Sequence, residues 1–157
     1  AVLENKNSRF EPHVLPIQLG QTLLIKNANP FALNAIINPV GERGINALIA
    51  AGFRHSYNFS RKQNLHVPVN SSIHPSMRAY VLPRDNPYAA VTDADGNFTI
   101  KNLPAGEKLE FQVWQERATN LKPQGKNWTK GRFEMVLMPG NNELGVIRIS
   151  PTAFQKK

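Results

Sequence analysis

Apolar and polar residues alternate in short stretches along this chain, and each stretch is closed by Gly, Pro or Asn. Val14-Leu15-Pro16-Ile17-Gln18-Leu19 alternates at its end and meets a turn signal at Gly20-Gln21. Thr22-Leu23-Leu24-Ile25-Lys26 is a second β-prone stretch, broken by Asn27-Ala28-Asn29-Pro30, because proline has no N–H to give a ladder. Leu33 to Ile37 follows, then Val67-Pro68-Val69 and Ala79-Tyr80-Val81-Leu82. Between them, Ile45, Leu48, Ile49 and Phe53 recur at helical spacing, which predicts a short helix or compact loop within residues 40–66. Residues 91–114 predict a hairpin: Asp93-Ala94-Asp95-Gly96 is turn chemistry, and Asn102 to Gly106 turns again between Phe98 and Ile100 on one side and Leu109, Phe111 and Val113 on the other. Phe133, Met135 and Leu137 alternate again, and Val146 to Ile149 reads as a final strand. Many short strands with frequent turn residues predict an all-β sandwich or barrel.

Composition narrows the picture. At 157 residues and 41% hydrophobic, the chain is long enough for one domain with a real core. No apolar stretch approaches the ~20 residues that cross a bilayer, and residues 1–10 lack the apolar centre of a signal peptide. The net charge of +8 favours anionic partners (nucleic acid, an acidic polysaccharide or a membrane surface), and also describes a basic protein kept soluble by its surface. The chain has no cysteine, which removes disulfides, thiolate ligands and cysteine nucleophiles together.

Two segments carry a family likeness. Phe10-Glu11-Pro12, Gly20, Asn27 and Pro30-Phe31-Ala32-Leu33-Asn34 resemble the opening of a cupredoxin. Ser71-x-x-His74-x-x-Met77 resembles the Cys-x-x-His-x-x-Met ligand loop of amicyanin-type members. The likeness spans residues 8–85, as in the methylamine-utilisation type of cupredoxin-like protein from planctomycete-type bacteria. Residues 87–114 resemble the hairpin of carboxypeptidase-regulatory modules. The resemblance implies a cupredoxin-like Greek-key β-sandwich with an additional hairpin and C-terminal strands, in a single domain over 1–157. Within it, 1–86 is the cupredoxin-like core, 87–116 the hairpin, and 117–157 a basic loop with the last strands.

The departures matter as much as the matches. Blue copper takes two imidazoles and a thiolate, with a weak axial thioether. By the resemblance, Leu33 stands at the first histidine position and Ser71 at the cysteine position. A neutral hydroxyl cannot replace a soft anionic sulfur. His74 and Met77 are left, with His13, as a remnant metal site for copper or zinc. The plainer alternative is a capped loop, with His74 bonded to backbone and Met77 filling core.

Other chemistry is sparse. Asp93, Asp95 and Asn97 imitate the start of a calcium loop, but Pro104 occupies the twelfth position, where an EF-hand needs glutamate. Lys126, Lys130 and Arg132 surround Trp128, a pattern that suits an anionic polymer, or a solvated loop whose tryptophan tucks against the sandwich. No nucleophile elbow, phosphate loop or paired-carboxylate motif is present, so no enzyme activity is expected. The sequence thus predicts a copper-free binding or structural module without cofactor, periplasmic or secreted. Weak metal binding and anionic-polymer binding are the alternatives.

Overall fold

The computed structural model describes residues 1–118 and 121–154. The chain divides into two compact units, residues 1–101 and 102–157.

The first unit holds nine strands in two sheets. They are β1 (Val2–Lys6), β2 (Arg9–Glu11), β3 (Val14–Gln18), β4 (Leu23–Asn27), β5 (Leu33–Ile37), β6 (Ile45–Ile49), β7 (Arg54–Tyr57), β8 (Val67–Asn70) and β9 (Arg78–Arg84). One sheet runs β2-β1-β4-β7 and the other β3-β9-β8-β5-β6. Most neighbours are antiparallel, but β1 lies parallel to β4 and β3 parallel to β9. Those two parallel contacts arise because the chain changes sheet between Glu11 and Val14, which gives the Greek-key character.

Alternation explains which side chains enter the core. In β4, Leu23 and Ile25 point inward while Leu24 and Lys26 remain partly exposed. Leu3, Phe10, Leu23, Ile25 and Tyr57 of the first sheet meet Ile17, Leu33, Ile37, Val69 and Val81 of the second in one buried cluster. Full burial of each aliphatic side chain stabilises by about 1.5–3 kcal/mol before conformational entropy is set against it.

The helix expected within 40–66 is not formed. Residues 45–49 are the edge strand β6, registered on β5 from Leu33↔Ile49 to Ile37↔Ile45. Ile45 and Ile49 are four apart, a spacing that satisfies a strand's period of two as well as a helical turn. Tertiary pairing chose the strand, leaving Leu48 and Phe53 each 70% exposed. The stretch Gly44 to Phe53, which includes all of β6, carries no charged residue.

The chain beyond β9 differs from expectation as well. The Asp93–Gly96 turn forms, with the Asp93 carboxylate accepting from the Asp95 and Asn97 amides, but its flanks make no ladder. These bonds hold the exposed Asp93 carboxyl below its ordinary pKa. The extra hairpin is instead β10 (Lys108–Gln112) against β11 (Arg132–Val136), in register from Lys108↔Val136 to Gln112↔Arg132. Phe111 faces Phe133, and the two rings stack at 5.2 Å. On the other face Glu110 lies opposite Glu134, a repulsive pair relieved by Arg132 on Glu110 at 2.7 Å and Lys108 on Glu134 at 2.9 Å. The expected strand at 146–149 has no ladder, and Arg148 is tied by its carbonyl to the Gln124 amide at 3.2 Å. Propensity alone does not make a strand without a neighbour in register.

Candidate functional site

The segment between β8 and β9 contains the three polar or sulfur-bearing residues of the predicted ligand loop, Ser71, His74 and Met77. Strand β5, beside β8, begins with Leu33 and Asn34. The sheet order therefore brings Leu33, Asn34 and the 71–77 loop to one end of the sandwich. His13 lies at that end too, because β3 starts alongside the start of β9.

Asn34 organises this end. Its side-chain oxygen accepts from the Ser71 hydroxyl at 2.9 Å and from the Ser72 and Ile73 amides at 2.9 and 3.1 Å. Its Nδ2 donates to Asn46 Oδ1 at 2.9 Å and Ser72 Oγ at 3.0 Å. The Ser71 hydroxyl in turn accepts from the His74 backbone amide at 3.1 Å. Asn34 and Ser71 are both buried, so these bonds satisfy groups that water does not reach. Ser71 acts as a cap on a tight turn, closed at its far end by the Met77 amide on the His74 carbonyl at 2.9 Å.

Met77 is fully buried, and its sulfur accepts from Asn5 Nδ2 at 3.0 Å. Asn5 belongs to an amide network that ends the first sheet. The Asn29 side chain donates to Asn5 Oδ1, and Asn27 Nδ2 donates to the Phe31, Ile49 and Ala50 carbonyls at 2.8, 3.0 and 3.1 Å. Leu33 is fully buried in the core. His13 is engaged elsewhere, with Nδ1 3.1 Å from the Arg78 carbonyl and its ring edge-on to Tyr80 at 5.5 Å. The His74 ring lies 5.2 Å from Phe31, and its buried Nε2 has no hydrogen-bond partner among the described residues.

The donor set is thus one imidazole, one thioether already bonded to an amide, one hydroxyl and an isobutyl group. It does not fit blue copper, which requires the thiolate. Among the described residues, no three or more His, Asp or Glu side chains form a group suited to a metal ion. His66, just before β8, is kept neutral by burial and by the nearby Arg84 cation, which lower its pKa to about 4.

Sequence reasoning placed the loop but missed the buried amides Asn5 and Asn27. The signal was available: Asn5 follows Leu3 in phase, and Asn27 follows Leu23 and Ile25 in phase, so both amides sit on the inner face. An amide in phase with core residues is a buried polar group that must find partners.

The anion-binding residues expected around Trp128 lie in the second unit. Trp128 is only 6% exposed and stacks on Phe133 at 4.3 Å, so its ring faces inward. Arg132 is paired with Glu110. Lys126 and Lys130 are exposed.

The strand order of the first unit, with its two parallel contacts and the β8–β9 loop beside the start of β5, makes it an all-β sandwich of two sheets. Similar solved structures include a Cu(I) amicyanin variant at 17% identity and TM-score 0.47, covering 53% of this chain and 80% of amicyanin. A reduced amicyanin variant gives 18% and 0.48, covering 54% and 81%. A copper-containing nitrite reductase from Thermus scotoductus gives 21% and 0.48, covering 54% of this chain and 22% of that enzyme. No family model matches the chain, and no curated protein matches it.

Proposed function

We propose that the chain is a cupredoxin-like module that works without copper, as a non-enzymatic binding or structural part of an extracytoplasmic protein. The observation that supports this most is the double role of Ser71. Its hydroxyl occupies the cysteine position of the resemblance and is used as both donor to Asn34 and acceptor from the His74 amide. A loop built this way has its rigidity from hydrogen bonds between neutral groups. In a copper protein of this fold, metal–ligand bonds would add to it. Met77, bonded to Asn5, serves as core.

Elemental analysis and copper titration of the purified chain test the proposal. Far less than one copper or zinc per chain is expected, and neither Cu(II) nor Cu(I) should bind stoichiometrically. The double variant Leu33→His with Ser71→Cys restores the missing imidazole and thiolate, and is expected to gain copper binding with a thiolate-to-copper absorption band. One tightly held metal per chain, lost in His74→Ala, would refute the copper-free module.

One observation favours a second reading, a weak copper or zinc site at His74 with Met77 and His13. That observation is the unpartnered, buried Nε2 of His74. The same titration separates the two readings, because binding at this site should vanish with His74→Ala and weaken with Met77→Leu.

A further inference from the structure

We propose that the second unit carries an oxyanion site that takes the sulfate or carboxylate groups of an acidic polysaccharide, in a cleft between residues 123–126 and 146–148. The proposal is independent of the copper-free reading.

Charge distribution is the first support. Between Glu116 and Glu134 the chain has no carboxylate and five cations: Arg117, Lys122, Lys126, Lys130 and Arg132. Glu110 and Glu134 are already occupied by Arg132 and Lys108. The fold adds another cation from a distant position, because the Gln124 amide binds the Arg148 carbonyl at 3.2 Å and draws Arg148 to the basic loop. Neither Lys126 nor Arg148 has a carboxylate partner among the described residues. Two cations on one cleft without a counter-charge raise the local potential, and an anion is the group that lowers it.

The lining is the second support. The cleft, about 360 Å³, is walled by Pro123, Gln124, Lys126, Val146 and Arg148. That volume falls within the roughly 300–1,000 Å³ of small-molecule sites and exceeds the needs of a lone oxyanion. Arginine offers a planar fork to sulfate or carboxylate, and lysine a point charge. Gln124 can both donate to and accept from sugar hydroxyls, and Pro123 and Val146 offer apolar surface to the C–H face of a sugar ring.

The loop is well anchored from below. Leu121, Pro123 and Trp128 are buried, and the Gly131 amide binds the Leu121 carbonyl at 2.9 Å. The same burial argues against single-stranded nucleic acid, whose recognition uses exposed aromatic platforms. Trp128 is stacked inside the unit, and among the described residues no aromatic side chain lines the cleft.

Calorimetric titration of the full chain with a sulfated oligosaccharide at low salt tests the site. The variant Lys126→Ala with Arg148→Ala is expected to bind at least about tenfold more weakly, with a shallower salt dependence. A control of equal charge loss, Lys26→Ala with Arg54→Ala on the first unit, should change affinity less than about twofold. Arg148→Lys keeps the charge but removes the fork, and should weaken binding by a few fold. Tryptophan emission verifies that each second-unit variant is folded, since Trp114 and Trp128 are the chain's only tryptophans. Equal losses in the cleft and control variants would overturn the site by reducing it to net charge. Tighter binding of a single-stranded oligonucleotide of matched charge would overturn the polysaccharide assignment.

Discussion

The ligand-loop end of the sandwich and the basic cleft of the second unit treat polar groups in opposite ways. Around Asn34, the polar groups are neutral and, His74 Nε2 apart, matched to partners within the chain, with Asn34 and Ser71 themselves buried. Around Lys126 and Arg148 they are charged, exposed and without a carboxylate partner among the described residues. Burial forces a group to find its partner inside the fold, because desolvation without a hydrogen bond costs about 1–3 kcal/mol per group. Exposure leaves a charge hydrated and available to a partner from outside. The loop that resembles a metal site is therefore the closed region, and the region with no metal likeness is the open one.

This contrast breaks most readily at Met77. Met77→Ala removes a fully buried side chain and leaves Asn5 Nδ2 without its sulfur acceptor, for an expected loss of about 3–5 kcal/mol in urea unfolding. Asn34→Ala should cost about 2–4 kcal/mol, since three donors lose one acceptor oxygen. All three tyrosines lie in residues 1–101 and both tryptophans in 102–157, so the two emissions follow the units separately. Both losses are expected in the tyrosine signal, with oligosaccharide affinity unchanged. A fall in affinity for a variant whose tryptophan signal is unaltered would show that the regions do not act separately.

Acid provides the next test. His66 has its pKa lowered to about 4, so the folded state holds it neutral while the unfolded chain binds a proton near its ordinary value of 6.5. Stability is therefore undiminished above about pH 6.5 and falls as pH drops through that window, with the full loss reached below about pH 4. The expected loss is on the order of 2 kcal/mol after allowing for partial solvent exposure. His66→Gln should flatten this slope in urea titrations at pH 4–7, and an unchanged slope would remove His66 as its source.

The smallest effect belongs to the exposed pair Lys108–Glu134. A double-mutant cycle to alanine should return less than about 1 kcal/mol and fade with salt. A larger coupling would mean that the charged face of the β10–β11 ribbon is less open to water than its exposure indicates.

Much of the first unit was legible from apolar stretches and turn residues, because β3, β4, β5, β8 and β9 are rich in apolar residues and β4 and β8 have clear inner faces. The short strands β1, β2 and β7 were not, since Arg54 to Tyr57 and Arg9 to Glu11 carry little apolar pattern and owe their structure to neighbours. β6 was misread because a separation of four serves both periods. Beyond β9, the Asp93–Gly96 turn was visible but the strand pairing that follows it was not, because register depends on residues far along the chain, as in Phe111 with Phe133. At the candidate site the sequence supplied Ser71, His74 and Met77, while the role of Asn34 required knowing what faces it. The Lys126–Arg148 cleft was half visible: the basic stretch could be read, but Arg148 joins it only through a backbone contact.

The uncharged edge strand β6 carries a consequence for colloidal behaviour. Two copies meeting along it would continue one sheet through both molecules, and neither proline nor lysine on β6 discourages this. Mutual repulsion from the net charge of +8 is then the principal guard, and it acts over a screening length of about 10 Å at 0.1 M salt. Shortening that length removes the guard, so concentrated solutions of this protein should grow more turbid as electrolyte is added.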